Sequence, residues 1–226
     1  MKRKMGFLMT ATLAALLMIS CDRLDVVGNH SIRSFGDVLT NAPHLVSRDE
    51  VNLGWSLTAP DGSARFFWSY DFEASPLFDV MIEFVANPFI TAGLDPAKLD
   101  DNVLFNAESG LFIAGTKLGT ERLRYRGEFT PLTSYEHIVR LKRFAIGYHA
   151  AGDHYGVELG NGNIFEWAND MTNNNNDMVF ALNPEPFIAA GVDPNNIEGW
   201  VFAQVTVHAA GSTVLVDKLL KRFNLL

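Results

Sequence analysis

The sequence predicts an α+β protein, mostly antiparallel sheet with short helices, made of two tandem similar units related by internal duplication. Three observations carry this. A segment recurs at an offset near 98 residues, turn dipeptides separate alternating apolar segments, and 48% of the 226 residues are apolar, 17 of them Phe. A chain of this size buries roughly 70% of its unfolded surface and can build a core without staples.

The repetition centres on Pro88-Phe89-Ile90-Thr91-Ala92-Gly93-Leu94-Asp95-Pro96, matched by Pro186-Phe187-Ile188-Ala189-Ala190-Gly191-Val192-Asp193-Pro194. Asp79-Val80-Met81-Ile82 answers to Asp177-Met178-Val179-Phe180, and Val103 to Val201. With small gaps, Phe67 pairs with Phe165, Trp68 with Trp167, Asp71 with Asp170 and Gly54 with Gly156; further back, Ser34-Phe35 meets Ser134-Tyr135. The organisation read from this is a first unit over 34–130 and a second over 134–226, together one compact body, preceded by a tether over 21–33 and a separate segment over 1–20.

Within a unit the elements follow in order. Ser34 and Ser134 can cap helices, and Tyr135, Ile138, Val139 and Leu141 keep near-helical spacing behind the second. Asp61-Gly62 and Asn161-Gly162 supply the positive φ angles of type I′ hairpin turns. Leu57 and Leu159 sit on the incoming strands; 66–72 and 164–171 read as the outgoing ones. A further strand covers 78–84 in one unit and 177–182 in the other, the latter preceded by an Asn173–Asn176 loop tip. Pro-Phe-Ile-x-Ala-Gly then predicts a short helix: Pro suits its first position, Gly the residue after its last turn, and Phe and Ile press into the sheet. Strand 200–207 alternates, with Val201, Ala203, Val205 and Val207 on one face; 209–212 is a turn and 213–220 returns.

The first twenty residues stand apart from this pattern. Lys2, Arg3 and Lys4 form a positive start, Gly6 to Ile19 carry no charge, and Ser20 precedes Cys21, the single cysteine. This is the layout of a secretory signal, whose apolar region is too short to span a bilayer comfortably. Met18-Ile19-Ser20-Cys21 resembles the lipobox of bacterial lipoproteins, although Met18 stands where that family usually has Leu. The resemblance covers about the first 22 residues. It implies cleavage before Cys21, a thioether-linked lipid, an acylated amine and a cell membrane or outer membrane location. Asp22 resembles the inner-membrane retention signal of enteric-type sorting.

Without residues 1–20, 15 Lys and Arg face 26 Asp and Glu, a formal charge of −11. Such a surface repels phosphate backbones, so nucleic acid is not an expected partner. Membrane contact is expected from the acyl chains, each buried CH₂ contributing about 0.8 kcal/mol.

Catalytic patterns are sparse. There is no Gly-x-Ser-x-Gly elbow, phosphate loop or His-Glu-x-x-His, and Gly160-Asn161-Gly162 lacks the rest of a dinucleotide fingerprint, so no cofactor is expected. The aromatic run Trp55, Phe66, Phe67, Trp68, Tyr70 and Phe72 reads as core. The one polar cluster is 147–156, where His149, Asp153 and His154 lie among glycines, with Glu158 and Glu166 downstream. Imidazole and carboxylate bind zinc-like metals, and such a pair also serves as base and orienter. The two histidines are five apart, so only a bend unites them, and the first unit has no histidine over 47–52. Two functions are weighed first, with a periplasmic assembly or chaperone-like factor binding exposed strand edges as a third. One is a cell-envelope lipoprotein of binding or structural type, anchored at Cys21, with a small-molecule or protein ligand. The other is a metal-dependent hydrolase using His149, Asp153 and His154.

Overall fold

A computed structural model describes residues 26–119, 128–140, 146–149, 152–171, 176–209 and 212–225. Cys21, residues 1–20 with the expected signal, and Asn173 to Asn175 lie outside the described residues. Among the described residues, two six-stranded antiparallel sheets dominate. The first contains β1 (Val46–Asp49), β2 (Gly54–Thr58), β3 (Ala64–Ser69), β4 (Val80–Val85), β5 (Leu104–Asn106) and β6 (Leu111–Thr116). The second contains β7 (Ile146–His149), β8 (His154–Glu158), β9 (Ile164–Ala168), β10 (Met178–Leu182), β11 (Val201–Ala209) and β12 (Ser212–Phe223). Spatial order is β1-β2-β3-β4-β6-β5 in one and β7-β8-β9-β10-β12-β11 in the other, the same path twice. Four strands meander; a short helix then carries the chain past the sheet edge, so that the last strand inserts beside the fourth. The duplicated α+β architecture read from the sequence is present.

The helices are α1 (26–41), α2 (Asn87–Thr91), α3 (Pro131–Arg140) and α4 (Glu185–Ala189). Ser34 and Ser134 are not caps but lie inside α1 and α3. Ser34 Oγ donates to the Ser31 carbonyl and Ser134 Oγ to the Thr130 carbonyl. The cap of α3 is Thr130, which exchanges bonds with Thr133: each hydroxyl accepts the other's backbone N–H, at 3.1 and 2.9 Å. In α2 and α4, Phe89 and Phe187 are fully buried, whereas Ile90 and Ile188 are 40% and 44% exposed. A helix of little over one turn has a single inward face, and adjacent residues cannot share it.

The hairpin turns differ from the expectation in one place. Asn161 and Gly162 both have positive φ, 54° and 76°, as a type I′ turn requires. In the first unit only Gly62 does, at 71°. Pro60 fixes a negative φ, and the Gly62 N–H closes a turn onto the Ala59 carbonyl at 2.8 Å. The short, polar edge strands β1 and β7 were not foreseen.

One core runs through both units. Equivalent residues meet in pairs along a pseudo-twofold axis. Phe66 stacks on Phe165 with ring centroids 4.3 Å apart and planes 8° apart. Phe35 meets Tyr135 at 4.3 Å and Phe89 meets Phe187 at 5.0 Å. The backbones do likewise: Asp95 N–H donates to the Ala190 carbonyl at 3.0 Å, and Asp193 N–H to the Ala92 carbonyl at 3.2 Å. Such reciprocity is the signature of an isologous contact, here within one chain. A fully buried tryptophan of each unit also bonds a helix of the other: Trp68 Nε1 donates to the Pro131 carbonyl at 3.0 Å and Trp167 Nε1 to Ser34 Oγ at 2.9 Å. The structural counterpart of Phe165 is thus Phe66, not Phe67. Phe67 is one residue on, so it points to the opposite face of the sheet and packs with Met81 and Ile113.

Candidate functional site

The hairpin between β7 and β8 gathers the polar cluster. Its register sets His149 directly opposite His154, so the turn between them brings both imidazoles to the outer face of the second sheet, away from the shared core. Facing residues along the ladders also correct one repeat match: β2 and β8 align Gly54 with His154 rather than with Gly156, and β1 and β7 align Asp49 with His149.

Asp153 does not join the histidines. It occupies a left-handed conformation, φ 52°, and its Oδ1 accepts from the Tyr148 hydroxyl at 2.7 Å and from Asn169 Nδ2 at 3.2 Å. Among the described residues no group of three or more His, Cys, Asp or Glu is arranged to hold a metal ion. His149 instead pairs with Glu166, Nδ1 to Oε1 at 2.7 Å. Glu166 reaches across Gly156, where a Cβ would lie 3.1 Å from its Cγ, so the glycine clears the carboxylate's path. The hydrogen bond to Glu166 raises the His149 pKa above its ordinary value, with burial opposing. His154, buried, bonds the Asn176 carbonyl through Nε2.

These groups form one side of a groove of about 450 Å³. Its floor is apolar: Ile164 from β9, Val179 and Ala181 from β10, Leu220 from β12 and Val205 from β11. Its far side is cationic. Lys218 and Arg222 follow Leu220's alternation on β12. Lys218 is buried, its ammonium donating to the Gly162 carbonyl. Burial lowers its pKa, while Glu158, Glu166 and Glu185 act in the other direction. Arg222 is exposed. A concave, largely apolar surface with a few placed polar groups is the general form of a ligand site.

The matching face of the first unit is filled. Phe67 stands where the second unit has Glu166, and its ring lies so close over Gly54 that a Cβ there would come within clashing distance. Leu77 and Phe78 pack on the same patch with Met81 and Ile113. At the offset of the repeat their counterparts are Asn175 and Asn176, and Asn176 lines the groove. Polar residues thus replace Phe67 and Phe78 in the second unit, while the apolar Ile164 and Ala181 stand where the first has the Arg65–Glu83 ion pair.

The sequence reading identified His149, His154 and the neighbourhood of Glu166 but missed Lys218 and Arg222. Their signal was the period-two pattern Lys218, Leu220, Arg222, which the expected end of the strand at 220 cut short. The aromatic run is core where it matters most: Trp68, Phe66 and Phe67 are fully buried. No family model, curated protein or solved structure matches the chain.

Proposed function

We propose that this chain is a cell-envelope lipoprotein of binding type, moored through lipidated Cys21, whose ligand lies in the groove on the outer face of the second sheet. The observation that carries the binding role is the contrast between the units: one scaffold, built twice, keeps this face packed in the first copy and hollow in the second. The anchor rests on the charged start, the uncharged segment and the Ser20-Cys21 end. Among the described residues no helix is long and apolar enough to cross a membrane. A metal-dependent hydrolase using His149, Asp153 and His154 gains no support from the geometry, since the aspartate is committed to Tyr148 and Asn169.

The anchor is tested by Cys21→Ser in a bacterium that processes lipoproteins. Loss of membrane association and of globomycin-sensitive processing is the expected result; unchanged fractionation and processing would remove the anchored reading.

A further inference from the structure

The groove's chemistry narrows what it can hold. Its floor is made of side chains with nothing to offer but apolar contact: Ile164, Val179, Ala181, Leu220 and Val205. Its charged lining is His149 and Glu166, paired with each other, together with Lys218 and Arg222. Once the pair is set aside, two cations remain against a chain whose formal charge is −8. Lys218 is tied to the Gly162 carbonyl, but Arg222 is exposed and makes no ion pair among the described residues. A guanidinium presents a planar fork suited to two oxygens of a carboxylate or phosphate.

We infer that the groove binds an anionic amphiphile, a single acyl chain lying on the Val179–Leu220 floor with its carboxylate or phosphate head at Arg222. This rests on the binding reading above and names its ligand class. Neither half of the site suffices alone. An apolar chain gains from leaving water in proportion to the area it buries, and the head adds selectivity through a charge-assisted bond at the rim. A fatty acid and a lysophospholipid-like phosphate share this chemistry, and the head group distinguishes them. The first unit cannot take such a ligand on its matching face, because Phe67, Leu77 and Phe78 occupy it.

The test is photolabelling of the full chain with a diazirine-bearing dodecanoate, followed by peptide mapping. Competition uses dodecanoate, dodecyl phosphate and the neutral dodecanol. Adducts are expected in 178–182 and 212–223, displaced by at least one of the two anions at about tenfold lower concentration than by dodecanol. The more effective anion identifies the head group. Arg222→Gln, an exposed substitution with folding checked by near-ultraviolet circular dichroism, is expected to shrink that difference to about twofold. Groove adducts displaced equally by dodecanol would overturn the anionic head while leaving the groove a binding site. Adducts confined to other segments of the folded chain would overturn both.

Discussion

Gly93 and Gly191 face each other across the pseudo-twofold axis: a Cβ added to either would lie 3.2 Å from the other's carbonyl oxygen. Their φ angles are 102° and 104°, a region that residues with a side chain rarely enter. Backbone freedom and close approach are thus required at the same two points, where the chain leaves α2 and α4 and the units exchange hydrogen bonds.

Gly93→Ala is expected to lower stability by about 2 kcal/mol through strain and crowding of the opposite backbone. Chemical denaturation measures it. Gly191→Ala is expected to cost a similar amount, and the double variant less than the two together, because the first shift already opens the contact.

The units differ at a second equivalent pair. Asp79 Oδ2 accepts the Leu118 N–H and Asp177 Oδ2 the Leu225 N–H, each at 2.6 Å. Asp79 Oδ1 also takes the ammonium of Lys117 at 3.2 Å, whereas Asn224 stands in the lysine's place and Asp177 Oδ1 is buried without a hydrogen bond. Asn224→Lys is expected to stabilise the protein by about 1 kcal/mol, and Lys117→Met to destabilise it by about 2 kcal/mol. Thermal unfolding of both variants checks the opposite signs.

Trp167 Nε1 is buried and donates to Ser34 Oγ. Ser34→Ala leaves that N–H without its acceptor and is expected to cost about 1–2 kcal/mol. A change within error by urea denaturation would mean that the bond between α1 and the second sheet adds nothing net.

The His149–Glu166 pair gives a pH dependence whose sign is fixed. Because the folded pKa is raised above the ordinary 6.5, the protonated imidazole adds stability that is full below about 6.5. That contribution is lost as pH rises through the folded value. His154, Lys218 and Arg222 line the same groove and Glu166 also acts on Lys218, so loss of the decline in both Glu166→Gln and His149→Gln assigns it to the pair. Unfolding curves from pH 5 to 9 are expected to show the decline in the parent chain and its loss in both variants.

Much of the scaffold was legible because duplication doubles each weak signal. Pro-Phe-Ile-x-Ala-Gly placed both short helices, and the paired Phe positions marked the core. Other features escaped for physical reasons. The four-residue edge strands β1 and β7 are too short and polar to show alternation. Ser34 reads as a helix start by type, but the helix around it begins earlier and buries that serine against Trp167. Of two adjacent phenylalanines the sequence match took Phe67 as the counterpart of Phe165, and the strand register makes it Phe66. His149 and His154 were legible as a candidate pair, and the hairpin supplies the bend that their separation of five requires. The groove itself was invisible, since it depends on Glu166 and Asn176 standing at the positions of Phe67 and Phe78.

The mass of the mature N-terminal peptide, from chain made with its own leader in a lipoprotein-processing bacterium, tests the central claim most directly. The predicted peptide begins at Cys21-Asp22-Arg23 and carries a diacylglyceryl thioether and an N-acyl group. A peptide beginning elsewhere, or an unmodified Cys21, would contradict it.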